Sequence, residues 1–274
     1  MGETRSTGRW RGPPQSGHEV PHSARVWNYL LGGRDHYAAD RVVGDAMAAA
    51  APGIVDVART SRYFLHRAVR HLAGAEGVRQ FVDIGSGLPT VDNTHEIAQR
   101  TAPGSRTVYV DNDPLVLAHA RALLTGAPRG AVHHVEGDVR EPEAILTGAG
   151  RSLDLDRPVA LLLLGVLGHV PGNREALGLV RRLLRPLPSG SFLVYYDGTS
   201  TSPDMREAQR RYNASRAVPY HLRTPAEIAA AFDGLRLLPP GVVRCTDWRP
   251  EFGTDGAPEA PAAVDAYCGI GRTP

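Results

Sequence analysis

FVDIGSGLPT, residues 81–90, is the stretch on which the fold turns. It closes a buried strand, VRQFVDIG (78–85), with Gly85-Ser86-Gly87, a tight turn whose backbone can approach a ligand closely. A nicotinamide-binding turn would require G-x-G-x-x-G, but here Thr90 stands in the third glycine's place, preceded by Pro89. The acid at the base of the turn, Asp83, repels a pyrophosphate and suits a ligand that carries an amine.

The same grammar repeats downstream. SRTVYVDND (105–113), AVHHVEGD (131–138), RPVALLLLG (157–165) and SFLVYYDG (191–198) read as four more strands, with helical patterns at 92–101, 114–124 and 173–185. Apolar strands alternating with amphipathic helices predict a parallel sheet covered on both faces. The first three strands end in Asp83, Asp111 and Asp138, at intervals of 28 and 27 residues, the length of one strand-helix unit. Near the C-terminus, TPAE (224–227) is a capped helix start. LRLLP (235–239) and VDAYCGIG (264–271) are expected to pair antiparallel and finish the sheet.

Composition narrows the chemistry. The 274 residues carry a net charge of +2, and no basic block supports a nucleic-acid or membrane-surface partner. All 31 basic residues are Arg, so Schiff-base and lysine-base catalysis are excluded. Cys245 and Cys268 have no metal-ligand spacing, His133 and His134 point to opposite faces of a strand, and no metal site is expected. Two unpaired thiols suit a reducing cytoplasm. Residues 1–20 lack the apolar centre of a secretory signal and are expected to form a disordered tail. No apolar run reaches the ~18 residues of a membrane span.

The strand-end acids suggest a nucleoside ligand. Asp111 in VYVDNDP can accept two hydrogen bonds from a ribose diol, and Asp138 in EGD stands where an adenine amino group would be received. Asp113, before Pro114, is the expected cap of the next helix.

VDIGSG, VYVDNDP and EGD at these intervals resemble the class I S-adenosylmethionine-dependent methyltransferases. ARVWNYLLGGRDHYAADR (24–41), DIGSGLPTVDNTHEIAQ, VYVDNDPLVLAHARALL and LLLLGVLGHV are similar to an actinobacterial family first catalogued as a domain of unknown function. The resemblance covers roughly residues 21–271. It implies an α/β, Rossmann-like, seven-stranded methyltransferase sheet with helices on both faces: five parallel strands plus an antiparallel hairpin. It implies S-adenosylmethionine as cofactor and S-adenosylhomocysteine as product, held above the strand ends by Asp83, Gly85, Ser86, Gly87, Asp111, Asn112, Asp138, Val139 and Gly165. It names no acceptor. No NPPY-like string follows the fourth strand, which argues against amino-methylation of adenine or glutamine, and a small-molecule acceptor is expected. His169, just past that strand, is the candidate base. Two rival readings are a cofactor-binding regulator without turnover and a nicotinamide oxidoreductase, the latter disfavoured by Thr90 and Asp83.

Residues 21–77 are expected to form a helical extension before a core domain at 78–274. Within it, Gly32-Gly33 interrupts a helical pattern, although glycine costs about 1 kcal/mol per helical residue relative to Ala. The expectation is that residues 24–37 form a lid over the cofactor, with Gly33 close to the ligand, Arg25 on its carboxylate, Tyr29 nearby and Asp35 fixing the turn or the ligand's amine.

Overall fold

The structure is a computed structural model that describes residues 19–123, 130–251 and 264–274. The tail expected over residues 1–20 lies outside the described residues but for its last two.

Five parallel strands form the sheet: β1 Gln80–Ile84, β2 Arg106–Asp111, β3 Ala131–Glu136, β4 Ala160–Leu164 and β5 Phe192–Gly198. Three more follow: β6 Arg236–Leu237, β7 Val243–Arg244 and β8 Ala266–Arg272. The order is β3-β2-β1-β4-β5-β8-β6, with β7 also paired to β8. β8 runs antiparallel to β5, β6 and β7. The order is that of the expected methyltransferase sheet, and among the described residues the two-residue β7 adds a further rung along β8. The chain leaves β1 for β2 on one side and returns to β4 on the other, which opens a crevice above the strand C-termini at β1 and β4.

Alternation along the strands feeds two apolar layers. Val82, Ile84, Leu161, Leu163 and Leu193 point to one face, under α6 (Pro142–Ala149), α7 (Asn173–Leu184) and α9 (Pro225–Ala229). Phe81, Ala160, Leu162, Phe192 and Val194 point to the other, under α1 (Ser23–Leu30), α2 (Ala38–Ala50), α3 (Ile54–Gly74), α4 (Thr94–Thr101) and α8 (Pro203–Asn213). α5 (Pro114–Leu123) packs beside β3. The N-terminal helices thus share one core with the sheet instead of standing apart from it. α6 and α8 were not anticipated. Five of the eleven residues of α8 are charged, and its buried residues, Met205, Ala208, Gln209 and Tyr212, include only two aliphatic ones.

The double glycine ends α1. Gly32 N–H donates to the Tyr29 carbonyl at 2.9 Å and Gly33 N–H to the Asn28 carbonyl at 2.8 Å. Gly32 sits at φ 79°, the left-handed cap of a Schellman motif. Gly33 has a different reason: any Cβ there would overlap the Asn28 side chain, which itself accepts from Asp35 N–H. No described helix is long and apolar enough to cross a membrane. Cys245 and Cys268 are both buried and free.

Candidate functional site

Asp111 ends β2 nine-tenths buried, and backbone amides hold both carboxylate oxygens: Gly87 donates to Oδ2 at 3.0 Å and Asp113 to Oδ1 at 3.0 Å, with the Asn112 amide also bonded to the carboxylate. Two carboxylate oxygens fixed side by side are the acceptor pair a vicinal diol requires. Burial pushes the carboxyl up to about 6, and the amides oppose that. The facing turn is left-handed at both its glycines, with Gly85 at φ 72° and Gly87 at φ 65°. A Cβ on Gly85 would strike Val166, so that glycine serves packing. A Cβ on Gly87 would point into open space, so that glycine keeps backbone uncovered. Ser86 N–H donates back to the Val110 carbonyl at 3.4 Å, which sets the turn against β2.

Asp138, past β3, accepts from Asn112 Nδ2 at 3.0 Å and from the Arg140 amide at 2.9 Å. The Arg140 guanidinium lies 3.3 Å from the same carboxylate and donates to the His169 carbonyl at 2.6 Å. This chain of contacts ties the tips of β2, β3 and β4 together. The Val139 side chain belongs to the apolar layer with Val110 and Ile145.

At the tip of β4, Gly165 is left-handed at φ 83°. His169 follows on a short 3₁₀ turn, Leu167–His169. Its Nδ1 lies 3.0 Å from the Pro219 carbonyl. A carbonyl only accepts, so Nδ1 holds the proton and Nε2 keeps its lone pair. Burial lowers the imidazole's pKa, and His22, Arg140 and His221 reinforce this against the Pro219 bond. The Tyr220 ring stands edge-on to His169 at 5.1 Å, beside Gly165. Its hydroxyl bonds to Asp197, which also accepts from Tyr195 at 2.9 Å and Arg223 at 3.0 Å. Asp197 was legible in principle, because it ends the fifth strand as the other acids end theirs.

Asp83 ends β1 and accepts from Thr94 Oγ1 at 2.6 Å. Burial raises its pKa, while Thr94 and the nearby Arg62 of α3 oppose the rise. Arg62 was not anticipated, since nothing in sequence singles out one Arg among 31.

The N-terminal segment does reach this end of the sheet, through a different residue from those expected. His22, the N-cap of α1, places Nε2 3.2 Å from Asp113 Oδ2, at the tip of β2. Arg25 does not extend a guanidinium toward a ligand: it is 1% exposed, and its Nε donates to Asp40 at 2.8 Å, pinning α1 to α2. Tyr29 is likewise turned to α2, where its hydroxyl donates to Asp45 at 2.6 Å and its ring covers Gly44. Both side chains turn to α2 for one cause: α2 supplies carboxylates, Asp40 and Asp45, that the sequence could not place. Gly33 is occupied in the cap already described.

Comparison with known proteins supplies the context. The family described as S-adenosyl methyltransferase matches residues 12–274. A crystal structure of a DUF574 family protein from Streptomyces avermitilis is 43% identical, covers 94% of this chain and 99% of its own, and superposes with a TM-score of 0.88. A candidate methyltransferase from Thermobifida fusca is 40% identical over 93% of this chain and 96% of its own, with a TM-score of 0.83. The mitomycin 7-O-methyltransferase structure, at 19% identity, TM-score 0.51 and coverage of 91% and 68%, shares the fold. No curated protein matches the chain.

Proposed function

The chain belongs to the S-adenosyl methyltransferase family, and on that premise we propose that this S-adenosylmethionine-dependent enzyme methylates a small molecule bound between the tips of β1 and β4 and the residues that roof them. The observation that carries the site assignment is Asp111, a buried carboxylate held by backbone amides on both oxygens, with the open backbone of Gly87 beside it. These residues fit a nucleoside ligand: Asp111 holds the ribose diol, and Asp138, already steadied by Asn112, receives the adenine edge.

The cofactor, when bound, supplies a methyl group activated on a sulfonium. The protein's share is then orientation, which can lower a barrier by about 7–11 kcal/mol. The left-handed turns at Gly87 and Gly165 let backbone come near the reacting centre without side chains intervening. His169 Nε2, unprotonated by the tautomer that Pro219 sets, takes the proton of an acceptor that arrives as an alcohol, phenol or ammonium. Residues 21–77 act as the lid of this site, with His22 on Asp113 as its closing contact and residues 78–274 as the catalytic core.

What supports a small acceptor is the roof itself. His22 reaches the β2 tip, Arg140 spans the β3 and β4 tips, and Tyr220 stands over Gly165, which leaves a narrow approach. The full chain should be incubated with S-adenosylmethionine and fractionated cell extract, and methyl-bearing products followed by mass spectrometry. Methylation confined to the fraction below protein size is expected. Methylation of protein or nucleic acid alone would refute the small-molecule assignment.

A further inference from the structure

We infer that the end of the sheet opposite the crevice carries a second binding site, a recess for a phosphoryl oxyanion lined by Arg79, Arg157 and Arg272. The recess has a volume of about 100 Å³ and lies where β1, β4 and β5 begin and β8 ends. These four strands are neighbours in the order β1-β4-β5-β8, so the short segments that enter or leave them meet at one rim. β1 and β4 are five residues long, which sets this rim about 15 Å from their C-terminal tips.

Two of the guanidiniums are held by groups that carry no charge. Arg79 Nη1 donates to the carbonyls of Ala73 at 2.6 Å and Val78 at 2.9 Å. The Arg272 guanidinium lies 5.6 Å from the centre of the Phe192 ring, and a Cβ on Gly190 would come within 3.3 Å of its Nη2. Arg157 is placed through its backbone. The Gln80 side chain donates to the carbonyls of Asp154 at 2.8 Å and Arg157 at 3.3 Å and accepts from the Asp154 amide at 2.7 Å, which bolts the turn before β4 to β1. None of the three has a carboxylate within ion-pair distance among the described residues, whereas Arg70, Arg100 and Arg182 on the surface each have one. The acid of the rim, Glu76, faces His71 at 3.3 Å. Exposed arginines ordinarily spread their heads into water; three lining one recess without an acid repel one another. Gly77, at φ 70° with nothing within 4 Å of where a Cβ would stand, leaves its part of the wall as bare backbone. A dianionic oxyanion offsets the excess charge and offers acceptors to several guanidinium forks at once, which a singly charged carboxylate does less well. The volume admits a phosphoryl group and not a nucleoside, so the ligand is inorganic phosphate or the phosphate end of a small monoester.

Calorimetry and thermal melts on the full chain test the recess with inorganic phosphate, glycerol 3-phosphate and acetate, at constant ionic strength so that general screening is held fixed. Saturable binding and a saturable rise in Tm are expected with phosphate or its monoester, and the tighter of the two names the source as free anion or phosphorylated metabolite. The binding should persist when S-adenosylhomocysteine is added in excess. Arg157→Met removes a side chain that makes no hydrogen bond among the described residues, so the variant should fold. It should bind the preferred phosphate about tenfold to a hundredfold more weakly, the range of a charge-assisted hydrogen bond, and bind S-adenosylhomocysteine like the parent. Absence of saturable binding by both phosphates would overturn the site. So would phosphate binding unchanged in Arg157→Met, which puts the ion elsewhere, or binding abolished by S-adenosylhomocysteine, which puts it in the crevice. Acetate that saturates as tightly as phosphate would overturn the phosphoryl assignment.

Discussion

Cofactor binding should titrate with Asp111, and the structure gives the size and sign. Burial moves its carboxyl from 3.8 to about 6. At 1.36 kcal/mol per unit this is about 3 kcal/mol against ionisation in the free protein. Between those two values the folded chain holds a proton that the unfolded chain has released, so this group's contribution to stability falls as pH rises through the window and is lowest above 6. A ribose diol donating to the ionised carboxylate reverses the balance, because it favours the charged form and pulls the pKa down. Affinity for S-adenosylhomocysteine should therefore be flat above pH ~6.5 and weaken by up to about tenfold per unit below ~6, with protons released on binding.

Calorimetry between pH 5 and 7.5, repeated in buffers of different ionisation enthalpy, measures affinity and proton release together. Asp83 is also raised by burial, so the control is 5′-methylthioadenosine, which has no ammonium for Asp83 to meet. Asp111→Asn should flatten the dependence for both ligands. It should change folding stability little, because removing the ionisation cost of about 3 kcal/mol offsets the loss of an amide bond to a charged oxygen, about 1.5–3 kcal/mol. Affinity for 5′-methylthioadenosine that is constant from pH 5 to 7.5 in the unaltered protein would refute the reasoning.

Arg223→Met should destabilise the fold by about 3 kcal/mol in urea titrations, because it strands Asp197 at 0% exposure with only tyrosine and amide donors. A loss below about 1 kcal/mol would mean those donors suffice without the guanidinium. Gly32→Ala has room for its methyl and should cost only the left-handed strain of about 1–2 kcal/mol, whereas Gly33→Ala overlaps Asn28 and should cost more; equal melting temperatures for the two variants would contradict the cap assignment. Burial holds the His169 pKa below 6.5, so the acidic limb of the turnover–pH curve should lie below that value once an acceptor is in hand, and His169→Ala should remove the limb. Burial also lowers the pKa of His22, so the N-terminal segment loses stability as pH falls below 6.5 and should be clipped faster by protease at pH 5.5 than at 7.5; equal rates would detach His22 from the closure.

The parts of this molecule that were legible in sequence are those in which one residue's neighbours along the chain decide its environment. The strands at 80–84, 106–111 and 160–164 fall inside the apolar runs because a strand buried on both faces has to be apolar at every position. The acids at 83, 111 and 138 could be placed at the C-terminal ends of the strands because a strand that runs into a charge ends where the apolar layer ends. α8 escaped notice for the converse reason: its buried face is half polar, and only α2 packed against it makes that face interior. The pairing of charges lies one level further from sequence. Arg25, which stands in the motif that marks the family, meets Asp40 fifteen residues on, while Arg62, in no motif, reaches the carbonyls of Val91 and Asp92 in the loop after the glycine turn. Which guanidinium finds a carboxylate depends on how α1, α2 and α3 cross, and that crossing is set by apolar contacts among Val26, Leu30, Val43, Met47 and Val57, which carry no record of the charges they bring together. Sequence neighbours single out Arg25; the packing gives Arg25 to the scaffold and sends Arg62 to the loop that follows the glycine turn.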